Sequence, residues 1–153
     1  MDLFLWRHAE AGADEAGGND LARALTPRGE KQAERMAAWL DQRLPHSTRI
    51  LVSPARRCQQ TAAALGRRFK TLDELGTGAA PAALLLAARW PDGSDPVLLV
   101  GHQPTLGLAA ALAFTGKAQP WPVKKGSVWW LRQRRRGDVA QVILQGVQAA
   151  DGL

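Results

Sequence analysis

Short apolar segments alternate with longer amphipathic ones through most of the chain. The apolar segments are residues 3–6, 50–52 and 97–100. Runs of this length that are rich in leucine, isoleucine and valine are typical of strands buried inside a sheet. The segments predicted to be helical are residues 27–44, 55–69, 81–90 and 105–114. Strands that alternate with helices predict an α/β fold, a three-layer α/β/α sandwich with a mainly parallel central sheet.

The first predicted helix has clear start and stop signals. Thr26 is a preferred N-cap residue, and Pro27 suits the first helical position because that position needs no N–H donor. Pro45 ends the segment. Its apolar side chains recur at helical spacing and are expected to face the core. They are Ala33, Met36, Ala37 and Leu40.

The segments at both ends of the chain carry weaker signals. Residues 11–19 are rich in glycine, alanine and acidic residues, which predicts a loop. Residues 126–134 and 139–144 predict two strands that are joined by a hairpin turn at residues 135–138. The tail from Gln148 is expected to fray.

Composition narrows the classes of protein. The length of 153 residues indicates one domain over residues 1–153. The net charge of +6 favours acidic partners, among them phosphorylated ligands, nucleic acid and acidic protein surfaces. Cys58 is the only cysteine, which excludes an internal disulfide and fits a reducing compartment. The histidines, His8, His46 and His102, lack metal-type spacing, so no metal site is expected.

No targeting or membrane segment is expected. The apolar run near the N-terminus has about four residues, far fewer than the core of a signal peptide. No stretch approaches the roughly 20 apolar residues of a membrane span. We therefore expect a cytoplasmic protein with no membrane partner.

Chemistry-bearing side chains follow each of the apolar strands. Arg7 and His8 end the first strand, residues 53–57 follow the second, and His102 follows the third. Because parallel strands place their carboxyl ends at one edge of a sheet, these side chains are expected to converge. Each feature alone is typical of a structural histidine or a solvated helix face. Together they predict a cleft with two imidazoles and at least two guanidinium groups, which suits a phosphoryl group.

Three motifs carry a resemblance to a known family. They are Arg-His-Ala at residues 7–9, Ser-Pro-Ala-Arg-Arg-Cys-Gln-Gln-Thr at residues 53–61, and Gly-His-Gln-Pro at residues 101–104. In order and spacing they resemble the histidine phosphatase superfamily, which has the phosphoglycerate-mutase-like fold. Within it, the chain is most similar to the small phosphohistidine phosphatases of the SixA type. The resemblance runs from the start of the chain to about residue 112.

The resemblance implies a role for each matching residue. His8 would be the nucleophile that becomes phosphorylated, Arg7 and Arg57 would clamp the phosphate, and His102 would complete the pocket and stabilise the transition state. Arg57 rather than Arg56 matches the motif. No cofactor or metal is implied, since the guanidinium groups neutralise the phosphoryl oxygens. The arginines are expected to lower the pKa of His8, and a backbone carbonyl is expected to fix its tautomer.

The general acid is left open. Many family phosphatases use a carboxylate between the second and third motifs, and Glu74 stands there, in a segment (residues 72–75) predicted to be extended. Asp73 and Glu10 are alternatives, and a solvated loop carboxylate is an equal interpretation of Glu74. Where the larger mutases place an asparagine this chain has Asp14, which argues against mutase-type substrate binding.

The short chain implies an open site. About 45 residues separate Arg57 from His102, which favours a phosphohistidine presented by a partner protein over a small phosphorylated metabolite. A non-catalytic module that binds phosphate or nucleic acid is the other alternative. The basic C-terminal residues are Lys124, Lys125, Arg132, Arg134, Arg135 and Arg136. The arginines among them are interpreted as a cluster at the tip of the hairpin, and a docking surface for an acidic phosphoprotein is the alternative. With Trp129 and Trp130 they also suggest a nucleic-acid surface, a partner that we do not expect.

Overall fold

The computed structural model of the protein describes residues 1–13 and 18–153. Within these residues, the strands are β1 (Asp2–Arg7), β2 (Arg49–Val52), β3 (Lys70–Thr71), β4 (Val97–Gly101), β5 (Val128–Arg136) and β6 (Val139–Gln148). The α-helices are α1 (Pro27–Asp41), α2 (Arg56–Ala63), α3 (Pro81–Ala87) and α4 (Thr105–Thr115). Short 3₁₀ helices cover Asp20–Ala22, Asp73–Leu75 and Ala150–Gly152.

The strands form one sheet in the order β3-β2-β4-β1-β5-β6. The first four are mutually parallel, whereas β5 and β6 pair antiparallel. The predicted mainly parallel sheet is confirmed, and β4 lies between β2 and β1. The register pairs Arg7 with Gly101 and Val52 with Val100. The carboxyl ends of β1, β2 and β4 therefore meet at one edge of the sheet.

Helices cover both faces of the sheet. Successive side chains of a strand point to opposite faces. Phe4 and Trp6 accordingly pack against α1 and α2, and Leu3 and Leu5 pack against α3 and α4. These four side chains in the interior of β1 are fully buried. The three-layer α/β/α sandwich is thus confirmed.

The start of α1 follows the sequence signals. The Thr26 hydroxyl accepts a hydrogen bond of 3.0 Å from the Gly29 N–H, as an N-cap residue does. The predicted core residues of α1 are all buried. Gly29 is required, because a Cβ atom at this position would overlap the carbonyl oxygen of Glu10. The close approach packs α1 directly against the segment that follows His8.

Helix ends differ from the sequence predictions. α1 ends at Asp41 rather than at residue 44, because the Arg67 guanidinium caps the carbonyl oxygens of Asp41, Leu44 and Pro45. α2 ends at Ala63 rather than at residue 69. Shortly after Ala63 the chain turns at Gly66, which has a φ of +69°.

Other differences lie in short segments. The shorter α2 leaves residues 70–71 to pair with β2 as the edge strand β3, which was not predicted. Residues 73–75, expected to be extended, form a 3₁₀ helix that buries Leu75 in the core. α3 ends at Ala87 rather than at residue 90. The tail was expected to fray, and this prediction was wrong, because Ala150 is buried against the α1 face of the sheet.

The C-terminal hairpin is confirmed and is longer than predicted. Arg136 pairs with Val139 across a turn at residues 137–138. β5 pairs with β1 only as far as Arg132, opposite Asp2, so the rest of the hairpin extends past the amino end of β1. The basic residues expected to form one patch are therefore separated. Residues 134–136 lie at the end of the sheet opposite the carboxyl ends of the parallel strands.

Candidate active site

The strand ends bring the predicted site residues together. Arg7 is the last residue of β1, His8 follows it, and His102 follows β4. The ring centroids of His8 and His102 are 5.4 Å apart. Nη2 of Arg57, in the first turn of α2, lies 3.4 Å from Nδ1 of His102. The side chains of His8, Arg57 and His102 are 5%, 4% and 3% exposed, so these three groups meet in a site that is largely shielded from solvent.

The backbone orients the His8 imidazole. Nδ1 of His8 lies 2.7 Å from the carbonyl oxygen of Ala9. Since a carbonyl oxygen can only accept, Nδ1 carries the proton and Nε2 keeps its lone pair. The backbone on either side is bonded as well, from the His8 N–H to Gly101 and from the Ala9 N–H to the Thr61 hydroxyl. The expected carbonyl partner is confirmed.

Burial keeps both imidazoles neutral. It is the largest cause that lowers the pKa of His8 from 6.5 to about 3, with smaller contributions from His102, Arg57 and Arg7. Burial and then Arg57 lower the pKa of His102 to about 4. The arginines were expected to lower the pKa of His8. They do so, but their contribution is smaller than that of desolvation. A neutral imidazole with a lone pair is a nucleophile.

His102 has a partner to which the sequence analysis gave no role. Ser53, directly after β2, places its hydroxyl oxygen 2.7 Å from Nε2 of His102. Nδ1 of His102 faces Arg57, and the Cys58 sulfur lies 3.5 Å from Nε2. Burial raises the pKa of the Cys58 thiol to about 12, so the thiol is protonated and a poor nucleophile.

Arg7 is held by a backbone carbonyl group, whereas Arg57 is held by Asp20. Nη1 of Arg7 donates to the carbonyl oxygen of Val123 at 2.9 Å. The Nε atoms of Arg7 and Arg57 are buried and have no hydrogen-bond partner among residues 1–13 and 18–153. Buried guanidinium donors of this kind suit an oxyanion. Arg56 is exposed, so the choice of Arg57 over Arg56 agrees with the packing.

Asp20 is a neighbour of the site that the sequence analysis missed. Its carboxylate accepts from Nη2 of Arg57 at 3.0 Å, and its carbonyl oxygen accepts from Nη1 at 2.8 Å. The other carboxylate oxygen lies 3.6 Å from Nη1 of Arg23. The hydrogen bond from Arg57 lowers the pKa of Asp20, which makes it a poor proton donor. No sequence signal marked it, because it belongs to a polar segment without periodicity.

Replacing Asp20 with asparagine is expected to tighten the binding of an oxyanion. A bound phosphate and the Asp20 carboxylate compete for the Arg57 fork and repel each other. Removing the charge should lower the inhibition constant of inorganic phosphate about two- to fivefold, since Asp20 is half exposed. Competitive inhibition against an aryl phosphate measures the effect.

Asp41→Asn is the matched control for Asp20→Asn. Asp41 forms an ion pair of 2.8 Å with Arg67 at the end of α1, away from the site. Its replacement should leave phosphate inhibition unaltered. Weaker phosphate binding in Asp20→Asn would instead show that the carboxylate holds Arg57 in its binding position.

The candidate general acids are exposed or half-buried. Glu74 is exposed on the 3₁₀ helix Asp73–Leu75, and no described residue hydrogen-bonds to its carboxylate. The Glu10 carboxylate accepts from the Thr26 hydroxyl at 2.7 Å. Asp14 lies outside the described residues. The role of Glu74 stays a prediction.

The part of the chain that the structure describes gives no sign of a metal centre. Within it, no group of three or more histidine, cysteine, aspartate or glutamate side chains is placed to hold a metal ion. In the same part of the chain, no helix has the length and apolarity that crossing a membrane requires.

Acid is expected to destabilise the fold through the two buried imidazoles. The folded pKa values of His8 and His102, about 3 and about 4, lie below the unfolded value of 6.5. Below pH 6.5 the unfolded chain binds protons that the folded chain does not, so the free energy of unfolding falls with pH until about pH 4. Between pH 6 and pH 5 the fall should be about 2 to 2.5 kcal/mol for the two imidazoles together.

Urea unfolding at pH 7, 6 and 5 measures this loss. His8→Gln removes one of the two titrating groups, so it should show about half of the dependence on pH. The chosen range lies above the window in which Asp20 titrates, because the pKa of Asp20 is lowered from 3.8. A wild-type stability that is flat from pH 7 to 5 would contradict the burial argument.

The arrangement has a specific chemical capacity. A neutral imidazole offers a lone pair on Nε2, a second imidazole lies beside it, and two guanidinium groups supply donors and positive charge. Nucleophile, hydrogen-bond donors and charge are preorganised in a site of low dielectric, where electrostatic stabilisation of a transition state is strongest. Such a site suits the transfer of a phosphoryl group.

Known proteins share both the sequence and the fold. A profile of the family described as "Histidine phosphatase superfamily (branch 1)" matches residues 3–76. The phosphohistidine phosphatase SixA of Escherichia coli (strain K12) is 32% identical over 129 residues, which cover 78% of this chain and 78% of that protein.

Solved structures agree with the sequence relatives. A protein histidine phosphatase SixA complexed with tungstate is 25% identical, with a TM-score of 0.80 and 99% of each chain covered. A phosphoserine phosphatase from Entamoeba histolytica shares the fold at 16% identity, with a TM-score of 0.70 and coverage of 97% of this chain and 96% of that chain. With the motifs gathered at one edge of the same sheet, these likenesses show that the chain belongs to the histidine phosphatase superfamily.

Proposed function

We propose that the protein is a phosphatase that removes the phosphoryl group from phosphohistidine in a partner protein, through a phosphorylated His8. The observation that carries the proposal is the hydrogen bond between Nδ1 of His8 and the Ala9 carbonyl. It leaves the Nε2 lone pair available beside Arg57 and His102. A non-catalytic phosphate-binding module has no need of an imidazole that is buried, neutral and fixed in its tautomer.

The reaction proceeds in two in-line transfers. In the first, the Nε2 lone pair of His8 attacks phosphorus, the bond from phosphorus to the substrate nitrogen breaks, and the leaving imidazole keeps the electron pair and takes a proton from solvent. In the second, water attacks the phosphorus of phospho-His8 and loses a proton to solvent. The phosphorus–Nε2 bond then breaks, which releases inorganic phosphate and restores the neutral imidazole.

Arg7, Arg57 and His102 act on the phosphoryl oxygens. The guanidinium groups balance the negative charge of the group in transfer. His102 stands next to both His8 and Arg57. When a phosphoryl oxygen replaces Arg57 at Nδ1, the imidazole can donate from Nδ1 while the Ser53 hydroxyl donates to Nε2, and the hydrogen bond to the phosphoryl oxygen strengthens as charge develops. Asp20 must yield its place on Arg57 when a phosphoryl group binds. These roles need no bound metal.

The relatives support the choice of substrate class. The Escherichia coli relative is named a phosphohistidine phosphatase, and the structural neighbour at 25% identity holds tungstate, a tetrahedral oxyanion like phosphate. A phosphorylated imidazole is a good leaving group, so the reaction does not depend on a strong general acid. Glu74 is the proposed acid for ester substrates. A small phosphorylated metabolite is the rival substrate.

Two further proposals concern the whole chain. Residues 1–153 are proposed to act as a single domain, because strands from both ends of the chain pair in one sheet. A cytoplasmic location is proposed from the unpaired, buried Cys58.

A substrate panel tests the proposed function. The panel contains a protein phosphorylated on histidine, an aryl phosphate and a set of phosphorylated metabolites. We expect kcat/KM to be highest for the phosphohistidine protein. Preference for a metabolite would keep the mechanism and change the substrate. No turnover of any substrate would overturn the proposal and favour a binding module.

A further inference from the structure

The turn that precedes β5 is bonded to the segment that carries His8. We call residues 123–127 the lysine turn. The N–H of Gly126 donates to the carbonyl oxygens of Arg7 and His8, at 3.1 and 3.0 Å. The Arg7 guanidinium donates in return to the carbonyl oxygen of Val123 at 2.9 Å. The lysine turn is therefore held in a fixed position relative to the proposed nucleophile.

Two lysines occupy the exposed part of this turn. The Ser127 N–H donates to the carbonyl oxygen of Lys124 at 3.0 Å, and Gly126 in third position has a φ of +75°, as in a type II turn. Lys124 and Lys125 take the first two positions, and both are exposed. Lys125 is one peptide, about 3.8 Å between Cα atoms, from the glycine that is bonded to His8.

The two lysines carry charge that no described acidic residue neutralises. The arginines nearest the imidazoles differ in this respect, since Arg57 and Arg23 share Asp20. The ion pairs of the described residues include neither Lys124 nor Lys125. The lysine turn thus adds two positive charges beside the site for the phosphoryl group.

The other basic cluster is too far away to share this role. Arg134, Arg135 and Arg136 are exposed beyond the amino end of β1. Along the strand direction they lie roughly 26 to 33 Å from His8, at about 3.3 Å per residue. This exceeds the Debye length of about 8 Å at physiological ionic strength. Of the two basic clusters, only the lysine turn is joined by hydrogen bonds to the segment that carries His8.

We propose that the lysine turn is a docking contact for acidic side chains that flank the phosphohistidine of the partner protein. The inference rests on the proposed function. It adds that the lysine turn recognises the residues that flank the phosphohistidine in the partner protein. Fixed lysines beside the nucleophile attract carboxylates of the approaching partner, which raises the rate of productive encounter and favours acidic partners over neutral ones.

A pair of peptides tests the proposal. Each carries one phosphohistidine, flanked in one peptide by glutamates and in the other by glutamines. The wild-type protein should hydrolyse the acidic peptide with the higher kcat/KM. In the double variant Lys124→Gln, Lys125→Gln, the ratio of acidic to neutral kcat/KM should fall about three- to tenfold. The difference should shrink at high salt.

The double variant Arg135→Gln, Arg136→Gln is the matched control. It removes the same amount of charge from the opposite end of the sheet, where both side chains are exposed. Its ratio of acidic to neutral hydrolysis should equal that of the wild type. An equal fall in both double variants would assign the preference to net charge and would overturn the docking contact.

The remaining outcomes separate the two proposals. If the wild type hydrolyses both peptides and the lysine variant keeps the ratio, the docking contact is wrong and the proposed function stands. An equal loss on both peptides would place the lysines on the phosphoryl group itself, which also overturns docking. If the wild type hydrolyses neither peptide, the proposed function is wrong and the inference is overturned with it.

Discussion

Replacing His8 with alanine is expected to lower kcat/KM for phosphohistidine hydrolysis by about 10⁴-fold or more. The alanine removes the Nε2 lone pair, so no covalent intermediate forms, and the two easier transfers become one direct attack by water. The guanidinium groups of Arg7 and Arg57 stay in place and continue to bind the phosphoryl group. The loss should therefore lie in kcat rather than in KM.

Trapping of the phosphoenzyme measures this directly. Wild-type protein mixed with labelled substrate and quenched in alkali should keep phosphate on histidine, and His8→Ala should keep none. His46→Ala is the control, because His46 is exposed in the connection between α1 and β2. It should retain wild-type labelling and rate. Undiminished labelling of His8→Ala would move the nucleophile to another residue.

Replacing Arg57 with alanine is expected to lower kcat/KM by about 10²- to 10³-fold. Arg57 is 4% exposed, and its Nη2 lies 3.4 Å from Nδ1 of His102, so its charge acts in a desolvated site. The charge spread over the phosphoryl oxygens in the transition state would lose this support. Lysine at position 57 should restore only part of the rate, because an ammonium group lacks the planar pair of donors.

The neighbouring arginine provides the control for this experiment. Arg56→Ala removes the same side chain from the preceding position of α2, where it is exposed to solvent. Its kcat/KM should stay within about twofold of the wild-type value, as is usual for a surface charge. Equal losses of kcat/KM in the two variants would mean that both arginines attract the substrate through their charge and that Arg57 does not bind the phosphoryl group specifically.

Motifs and strand ends predicted the centre of the site because their geometry follows from local sequence. His8 and His102 each come directly after an apolar strand, and parallel strands end at one edge. The preference for Arg57 over Arg56 came from motif spacing and agrees with the burial of one and the exposure of the other. These features depend on few residues near one another in the chain.

Contacts between distant segments were not predictable in the same way. Asp20 meets Arg57 because a 3₁₀ turn brings its polar segment across the site, and nothing in its composition indicates this path. The edge strand β3 exists because α2 stops early at a glycine turn. The end of α1 was misjudged where a remote side chain, Arg67, caps the carbonyl oxygen of Asp41, the last residue of the helix.

The basic C-terminal residues show a further limit. In the sequence, Lys124 and Arg136 are twelve positions apart and belong to one charged stretch. In the structure, β5 lies between these two residues, and it runs from the end of the sheet next to His8 to the opposite end. Proximity in sequence indicates proximity in space inside a turn, but a nine-residue strand separates its two ends by about 27 Å.

The place of β1 in the sheet has a consequence for how the protein opens. β1 is paired along its length with β4 on one side and β5 on the other, and its interior side chains are fully buried. Backbone amides in such a strand exchange with solvent only in the most extensive opening events, while edge strands and loops open more often. His8 directly follows β1. The proposed nucleophile is therefore attached to the strand that unfolds last, and partial unfolding of edge strands or loops leaves its position unchanged.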